Sequence, residues 1–215
     1  MVIVAFDMDG TLMEKDSWKA TNDYFAVDNT HIFSHLRGEI TYEKYLELTC
    51  KEWAMKNGGG VYYEELEEAV RDLTVRNGLK ELIDLLEKKG WKKGIISAGI
   101  DTIASRFCRE FNLDFCLANG FEYEMENGKR KLNGTGIPRV ELKKKGEALE
   151  RVVNRFNDDV CIAVGDTKYD VPMFKRAKFS IAIDPKDEDT IKNADFVITS
   201  GDFYPLIELL DSLKI

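Results

Sequence analysis

Histidine, paired cysteine and basic charge are all scarce in this chain, and each shortage removes a class of function. The two histidines, His31 and His35, and the four cysteines, Cys50, Cys108, Cys116 and Cys161, include no C-x-x-C pair. A zinc centre of the usual Cys/His kind is therefore not expected. The i, i+4 spacing of His31 and His35 resembles half a metal site, but no third ligand lies nearby, so both are read as surface or packing residues. Cys161 sits in the apolar run Val160–Val164 and reads as a small buried hydrophobe. Free thiols in a reducing cytosol are the reading that fits such spacing.

Positive charge is also in deficit. The 31 Lys and Arg against 39 Asp and Glu leave a formal net charge of −8, the opposite of the field that nucleic acid or an anionic membrane requires. No apolar run approaches bilayer length. The opening stretch Val2–Phe6 passes at once into acidic residues, without the basic start and long apolar segment of a secretory signal. A cytoplasmic protein is expected, with neither nucleic acid nor membrane as partner; the sequence does not fix an oligomeric state.

What remains is ordinary globular material, 44% apolar and 33% charged over 215 residues, enough for one core with a smaller insertion. Short apolar runs at Val2–Phe6, Lys92–Ser97, Val160–Val164 and Phe179–Ile183 read as buried parallel strands, with Phe196–Thr199 at an edge. Helical patterns alternate with them. Leu79, Leu82, Ile83 and Leu86 precede the stop Gly90, and Ile103, Phe107 and Phe111 follow Asp101 as N-cap. Leu149, Val152, Val153 and Phe156 mark a helix from about Glu141. Phe203, Leu206, Ile207 and Leu210 mark the last, capped by Asp202. Alternation of this kind predicts an α/β fold with a doubly wound, Rossmann-like parallel sheet.

Two segments interrupt it. From Lys15 to Arg76 no strand pattern appears, while Tyr42, Tyr45, Leu46, Thr49 and Trp53 share one helical face and Leu66, Ala69, Val70 and Leu73 another. Residues 15–76 are accordingly expected to form a small helical cap inserted into a core of residues 1–14 and 77–215, with Gly58–Gly60 as a loop within it. At Phe121–Asn133, two alternating runs flank Asn127-Gly128, the strongest short hairpin signal. A β-hairpin flap is placed there.

The acids sit where such a sheet binds ligands, beyond the carboxyl ends of its strands. The first strand ends in Asp7-Met8-Asp9-Gly10-Thr11-Leu12, and Gly10 permits a tight loop. Val160–Val164 ends in Gly165-Asp166-Thr167-Lys168-Tyr169-Asp170. Asp7 and Asp166 on neighbouring strands would supply the partial carboxylate shell that Mg²⁺ prefers, the rest coming from water and phosphate oxygens. Ser97-Ala98-Gly99 offers a hydroxyl and backbone N–H groups to phosphate oxygens. In Lys143-Lys144-Lys145, Lys145 is the candidate to point inward as a positive charge on phosphate.

These pieces, Asp7-Met8-Asp9-Gly10-Thr11-Leu12, Ile96-Ser97-Ala98-Gly99, Lys145-Gly146-Glu147 and Gly165-Asp166 with Asp170, resemble in order and position the haloacid dehalogenase-like hydrolase superfamily, and within it the phosphoserine phosphatase-like branch. The resemblance implies a Mg²⁺-dependent phosphatase acting on a small phosphorylated metabolite. Asp7 would be the nucleophile, forming an aspartyl-phosphate, and Asp9 the acid, then base. The ion would be held by Asp7, the backbone carbonyl of Asp9 and Asp166. Ser97, Ala98 and Lys145 would bind the phosphoryl oxygens, with Asp170 supporting Lys145. The glutamate and arginine that hold serine in the family correspond to Asp16 and to a position near Thr49, with Lys51 or Arg37 as stand-ins; an asparagine of the fourth motif corresponds to Tyr169. Trp18, Tyr24, Phe25, Tyr42, Tyr45 and Trp53 are expected mainly in cap packing, with a more apolar pocket as the other reading. A phosphotransferase or phosphomutase using the same intermediate, and a non-catalytic metabolite- or partner-binding protein, remain alternatives.

Overall fold

The structure, a computed structural model, describes residues 2–28, 30–157 and 160–214. The chain opens with β1 (Val2–Phe6) and then builds four helices, α1 (Ser17–Tyr24), α2 (His31–Leu36), α3 (Tyr42–Lys56) and α4 (Tyr63–Ala69). Helix α5 (Leu79–Lys88), β2 (Lys92–Ile100) and α6 (Asp101–Glu110) return it to the core, followed by the long hairpin β3 (Phe115–Glu126) and β4 (Lys129–Ile137). A 3₁₀ turn at Leu142–Lys144 leads into α7 (Lys145–Phe156), and β5 (Val160–Gly165), α8 (Val171–Phe174), β6 (Phe179–Ile183), α9 (Glu188–Asn193), β7 (Phe196–Ile198) and α10 (Tyr204–Ser212) complete it.

The seven strands form one sheet in the order β4-β3-β2-β1-β5-β6-β7. Strand β1 lies parallel between β2 and β5, so the chain winds one way from β1 and later the other way. Its period-2 alternation feeds two cores. Val4 and Phe6 join Leu82, Leu86, Phe107 and Leu206 on the face covered by α5, α6 and α10. Ile3 and Ala5 join Leu149, Val152 and Met173 on the face covered by α7 and α8. Burial on both faces is why these strands read as unbroken apolar runs rather than alternating ones.

Sequence and structure part in several places; the last helix, for one, has Phe203 rather than Asp202 as its N-cap. β3 begins at Phe115, and its first residues pair parallel with β2 (Gly94 with Phe115, Ile96 with Leu117) before it turns antiparallel to β4. The segment Phe115–Asn119 therefore belongs to the sheet, a role hidden because Cys116, Asn119 and Gly120 dilute its apolar pattern. Asp101 is not an N-cap: Ile100 holds that position, and Asp101 turns aside to pair with Arg139 at 2.7 Å. The helix expected from Glu141 begins at Lys145, after the 3₁₀ turn. The Asn127-Gly128 turn has both residues in the left-handed region, φ 51° and 78°, as a two-residue hairpin demands.

Helices α1, α3 and α4 pack on the hairpin, and α2 packs on α3. Phe25, Cys50, Trp53, Val61 and Leu66 form one cluster with Phe121 and Leu132 of the hairpin, and the Leu132 N–H donates to the Val61 carbonyl at 2.8 Å. Trp18 of α1 and Tyr42 of α3 reach the end of β2, both donating to the Ala98 carbonyl.

Candidate active site

Reversal of the winding direction at β1 opens a crevice at the carboxyl ends of β1 and its neighbours. Asp7 stands at its floor, directly after β1, with its N–H donating to the Val164 carbonyl of β5 at 2.9 Å. The next residues coil tightly: the N–H groups of Thr11 and Met13 both donate to the Met8 carbonyl, each at 3.2 Å. Gly10 makes this coil possible. Its φ is +82°, and a Cβ there would lie 2.1 Å from Asp166 Oδ2. Asp166, two residues past Val164 on β5, is thereby brought against the first loop, and Thr11 Oγ1 donates to its Oδ1 at 3.2 Å.

Asp7, Asp166 and Asp170 are buried, and each places one carboxylate oxygen within 4.8 Å of the others. Lys145 Nζ, from the first turn of α7, pairs with two of the three, lying 2.7 Å from Asp7 Oδ1 and 2.6 Å from Asp170 Oδ1. Asp170 Oδ2 accepts from the N–H groups of Asp166 and Thr167, both at 3.0 Å. Both oxygens of Asp170 are thus committed to shaping the loop and aiming the lysine. Burial pushes Asp7 up to about 6, against the lowering pull of Lys145. Burial, reinforced by Asp7 and Asp170, pushes Asp166 up to about 8. Burial also works against the Lys145 ammonium, yet Asp170 and Asp7 lift it above the ordinary lysine value. Three carboxyl groups clustered around one paired ammonium form a set of hard oxygen donors that suits a hard divalent cation.

Asp9 faces the cap side. Its Oδ1 accepts from the Ser17 N–H at 2.9 Å and its Oδ2 from Ser17 Oγ at 2.8 Å. Gly99 presses on it from β2, where a Cβ would stand 2.5 Å from Asp9 Oδ2. Burial, then the negative charges of Asp16 and Asp7, push Asp9 well above the usual carboxylate range despite the Ser17 bonds. Burial and like charge thus both favour the protonated form of Asp9.

Ser97 and Ala98 lie at the same crevice near the end of β2. The Gly99 N–H is taken by Ser97 Oγ at 3.1 Å, so that hydroxyl, and not the Gly99 amide, is the donor left facing the crevice. The Ala98 carbonyl accepts from Trp18 Nε1, Tyr42 Oη and Asn119 Nδ2, at 2.9, 3.3 and 2.8 Å. Asp16 and Tyr169 both line the chamber above, a cavity of about 550 Å³; Asp16 also caps α1 by accepting the Lys19 N–H.

The structure thus brings together Asp7, Asp9, Asp16, Ser97, Ala98, Lys145 and Tyr169 around one cavity, with Asp166 and Asp170 beneath. It does not bring the suggested arginine substitutes. Arg37 pairs with Glu39 and Lys51 with Glu47 on the exterior, and Thr49 is buried with its hydroxyl on the Tyr45 carbonyl. The cap aromatics divide: Trp18, Tyr42 and Tyr45 line the cavity, Phe25 and Trp53 fill the cap core, and Tyr24 is exposed. His31 pairs with Glu52 at 3.0 Å, and His35 packs on the Tyr42 ring, as packing residues do. Ser17, Thr11 and Arg76 escaped notice in the sequence. Arg76 is buried and clasps the first loop, its Nη2 donating to the Gly10 carbonyl at 2.7 Å and its Nε to that of Thr11 at 2.9 Å. Arg76 Nη1 pairs with Asp184 at 2.6 Å. No local spacing announces such a long-range contact.

Comparison with known proteins places this geometry. The haloacid dehalogenase-like hydrolase family matches residues 4–175. A phosphoserine phosphatase from Streptococcus thermophilus is 32% identical over 219 residues, covering 98% of this chain and 96% of its own length. One from Idiomarina loihiensis is 29% identical over 220 residues, covering 99% and 93%. Among solved structures, a phospho-aspartyl intermediate analogue of phosphoserine phosphatase superposes with a TM-score of 0.76 at 25% identity, over 99% of this chain and 98% of that one. A substrate-bound phosphoserine phosphatase complex gives the same TM-score, identity and coverage. The chain therefore belongs to the haloacid dehalogenase-like hydrolases and is a phosphatase of their phosphoserine phosphatase-like branch.

Proposed function

We propose that this phosphatase hydrolyses a small phosphomonoester in the cytoplasm through a phosphate ester of Asp7. Asp7 attacks phosphorus and the bond from phosphorus to the leaving oxygen breaks, while Asp9 passes its proton to that oxygen. Water then attacks the acyl phosphate, Asp9 takes the proton back, and inorganic phosphate leaves with Asp7 restored. Two environments for two carboxylates support this division of labour. Asp7 has an ammonium on it, which favours the ionised form, whereas Asp9 has only neutral donors and negative neighbours. Ser97 and Lys145 stand where the transferring oxygens would come to rest, and charge spread over those oxygens is what they stabilise.

Mg²⁺ is the ion the acidic floor fits, held by Asp7, the Asp9 carbonyl and Asp166, and it would neutralise phosphate charge when bound. Asp170 orients Lys145. Residues 15–76 act as a cap, whose closure excludes bulk water from the chamber.

The observation that carries this reading is the junction of Asp7, Lys145, Asp170 and Asp166 in one buried cluster, beside an Asp9 whose two oxygens are held by Ser17. Asp7→Asn should abolish release of phosphate from p-nitrophenyl phosphate, by at least about a thousandfold, while the far-ultraviolet circular dichroism stays native. Chelation should inactivate the wild type and Mg²⁺ restore it. Turnover retained by Asp7→Asn, or full activity after exhaustive chelation, refutes the assignment.

A further inference from the structure

The chamber above the carboxylates has one-sided chemistry. Its cations among the described residues are Lys19 and Lys145, and both are engaged. Lys19 Nζ lies 2.7 Å from Asp23, and Lys145 is held by Asp7 and Asp170. No arginine lines the chamber among the described residues. Its acids outnumber the cations. Asp16 and Asp28 border it as well, and neither has an ion-pair partner among the described residues. Trp18, Tyr42 and Tyr45 line it too.

A substrate carboxylate seated here would meet like charge from Asp16 and Asp28 and only lysines that already have acidic partners, which disfavours it. An ammonium group would meet the reverse, carboxylates and electron-rich aromatic side chains in one chamber, the combination that attracts organic cations. The volume of about 550 Å³ leaves room for substituents on that nitrogen.

We propose that the leaving group is a cationic alcohol without a carboxylate, so that the substrate is the phosphate monoester of an amino alcohol or of its N-methylated form. This rests on the phosphatase reading above and adds to it the charge of the leaving group. Asp16 and Asp28 set the preference as positioning residues for the cation.

The test compares kcat/KM for phosphoethanolamine, phosphocholine, phosphoserine, glycerol phosphate and phosphoglycolate, with p-nitrophenyl phosphate reporting the chemistry alone. A cationic ester should exceed phosphoserine and both other esters by at least tenfold. In the double variant Asp16→Asn with Asp28→Asn that preference should fall at least fivefold, through KM more than kcat. Asparagine caps a helix as well as aspartate does, and a thermal melt checks that the fold is kept. Phosphoserine or an anionic ester equal to or better than the cationic ones, or a preference unmoved in the double variant, overturns the proposal. Hydrolysis of p-nitrophenyl phosphate in that case leaves the phosphatase reading standing; no turnover of any ester overturns both.

Discussion

Neutralising Asp166 should stabilise this enzyme in the absence of metal, and the size of the gain follows from the cluster. Asp166 is held at about 8 against an ordinary 3.8 because burial and two neighbouring acids disfavour its charge. A folded-state pKa above the unfolded one means that the native chain binds the proton more tightly. Stability from this group is therefore fully present below about pH 4 and is lost as pH rises through about 8. A gap of roughly four units at about 1.4 kcal/mol each sets a ceiling of about 6 kcal/mol. The amide in Asp166→Asn must itself be desolvated, at about 1–3 kcal/mol, although it still accepts the hydrogen bond from Thr11 Oγ1. The expected net gain is on the order of 3 kcal/mol, or roughly 6–12 °C in Tm for a chain of this size. The assay is thermal unfolding in EDTA from pH 4 to pH 8.5, where the variant should melt slightly below the wild type at the acid end, by the cost of its amide, and above it towards pH 8. Mg²⁺ at a hundred times its Kd should then add about 2.7 kcal/mol to the wild type and nothing to the variant. If Asp166→Asn melts at or below the wild type at pH 8 in EDTA, or if Mg²⁺ raises both equally, the picture of a charge-strained cation site is wrong.

Two further substitutions probe the scaffold of the first loop. Gly10→Ala places a methyl group on Asp166 at a backbone φ of +82°, so it should lower Tm by several degrees and erase the thermal response to Mg²⁺; a variant that keeps both would show that the loop yields. Arg76→Lys keeps a positive charge near Asp184 but loses the fork that holds the Gly10 and Thr11 carbonyls. It should cut kcat about 10–100-fold with KM within twofold, and an unchanged kcat would remove Arg76 from any part in placing the nucleophile.

What could be read before any coordinates were known was whatever the chain encodes locally. β1 and β5 are buried on both faces, so each announces itself as an apolar run, and the acids that end them need no other signal. Asn127-Gly128 fixes a hairpin because only a left-handed pair closes it. Phe115–Asn119 failed that test: its Asn119 is polar and buried, its side chain spent on the carbonyls of Ala98 and Val140 at 2.8 and 2.9 Å, so a strand of the sheet looked like loop. Asp101 misled in the opposite way, being a good capping residue in a good capping position that instead answers Arg139, 38 residues away. The site divides along the same line. Asp7, Asp9, Asp166 and Lys145 are each placed by the short segment that carries them, whereas Ser17 reaches Asp9 only because α1 folds back over the loop. The leaving-group chamber lies at the far end of this scale. Its walls come from α1, α2, α3 and the ends of β2, residues with no common spacing, and its charge balance depends on which lysines are already paired. Motifs record the reaction because the reacting groups must sit at strand ends; the choice of substrate is a sum over distant side chains, and only a folded cap can perform it.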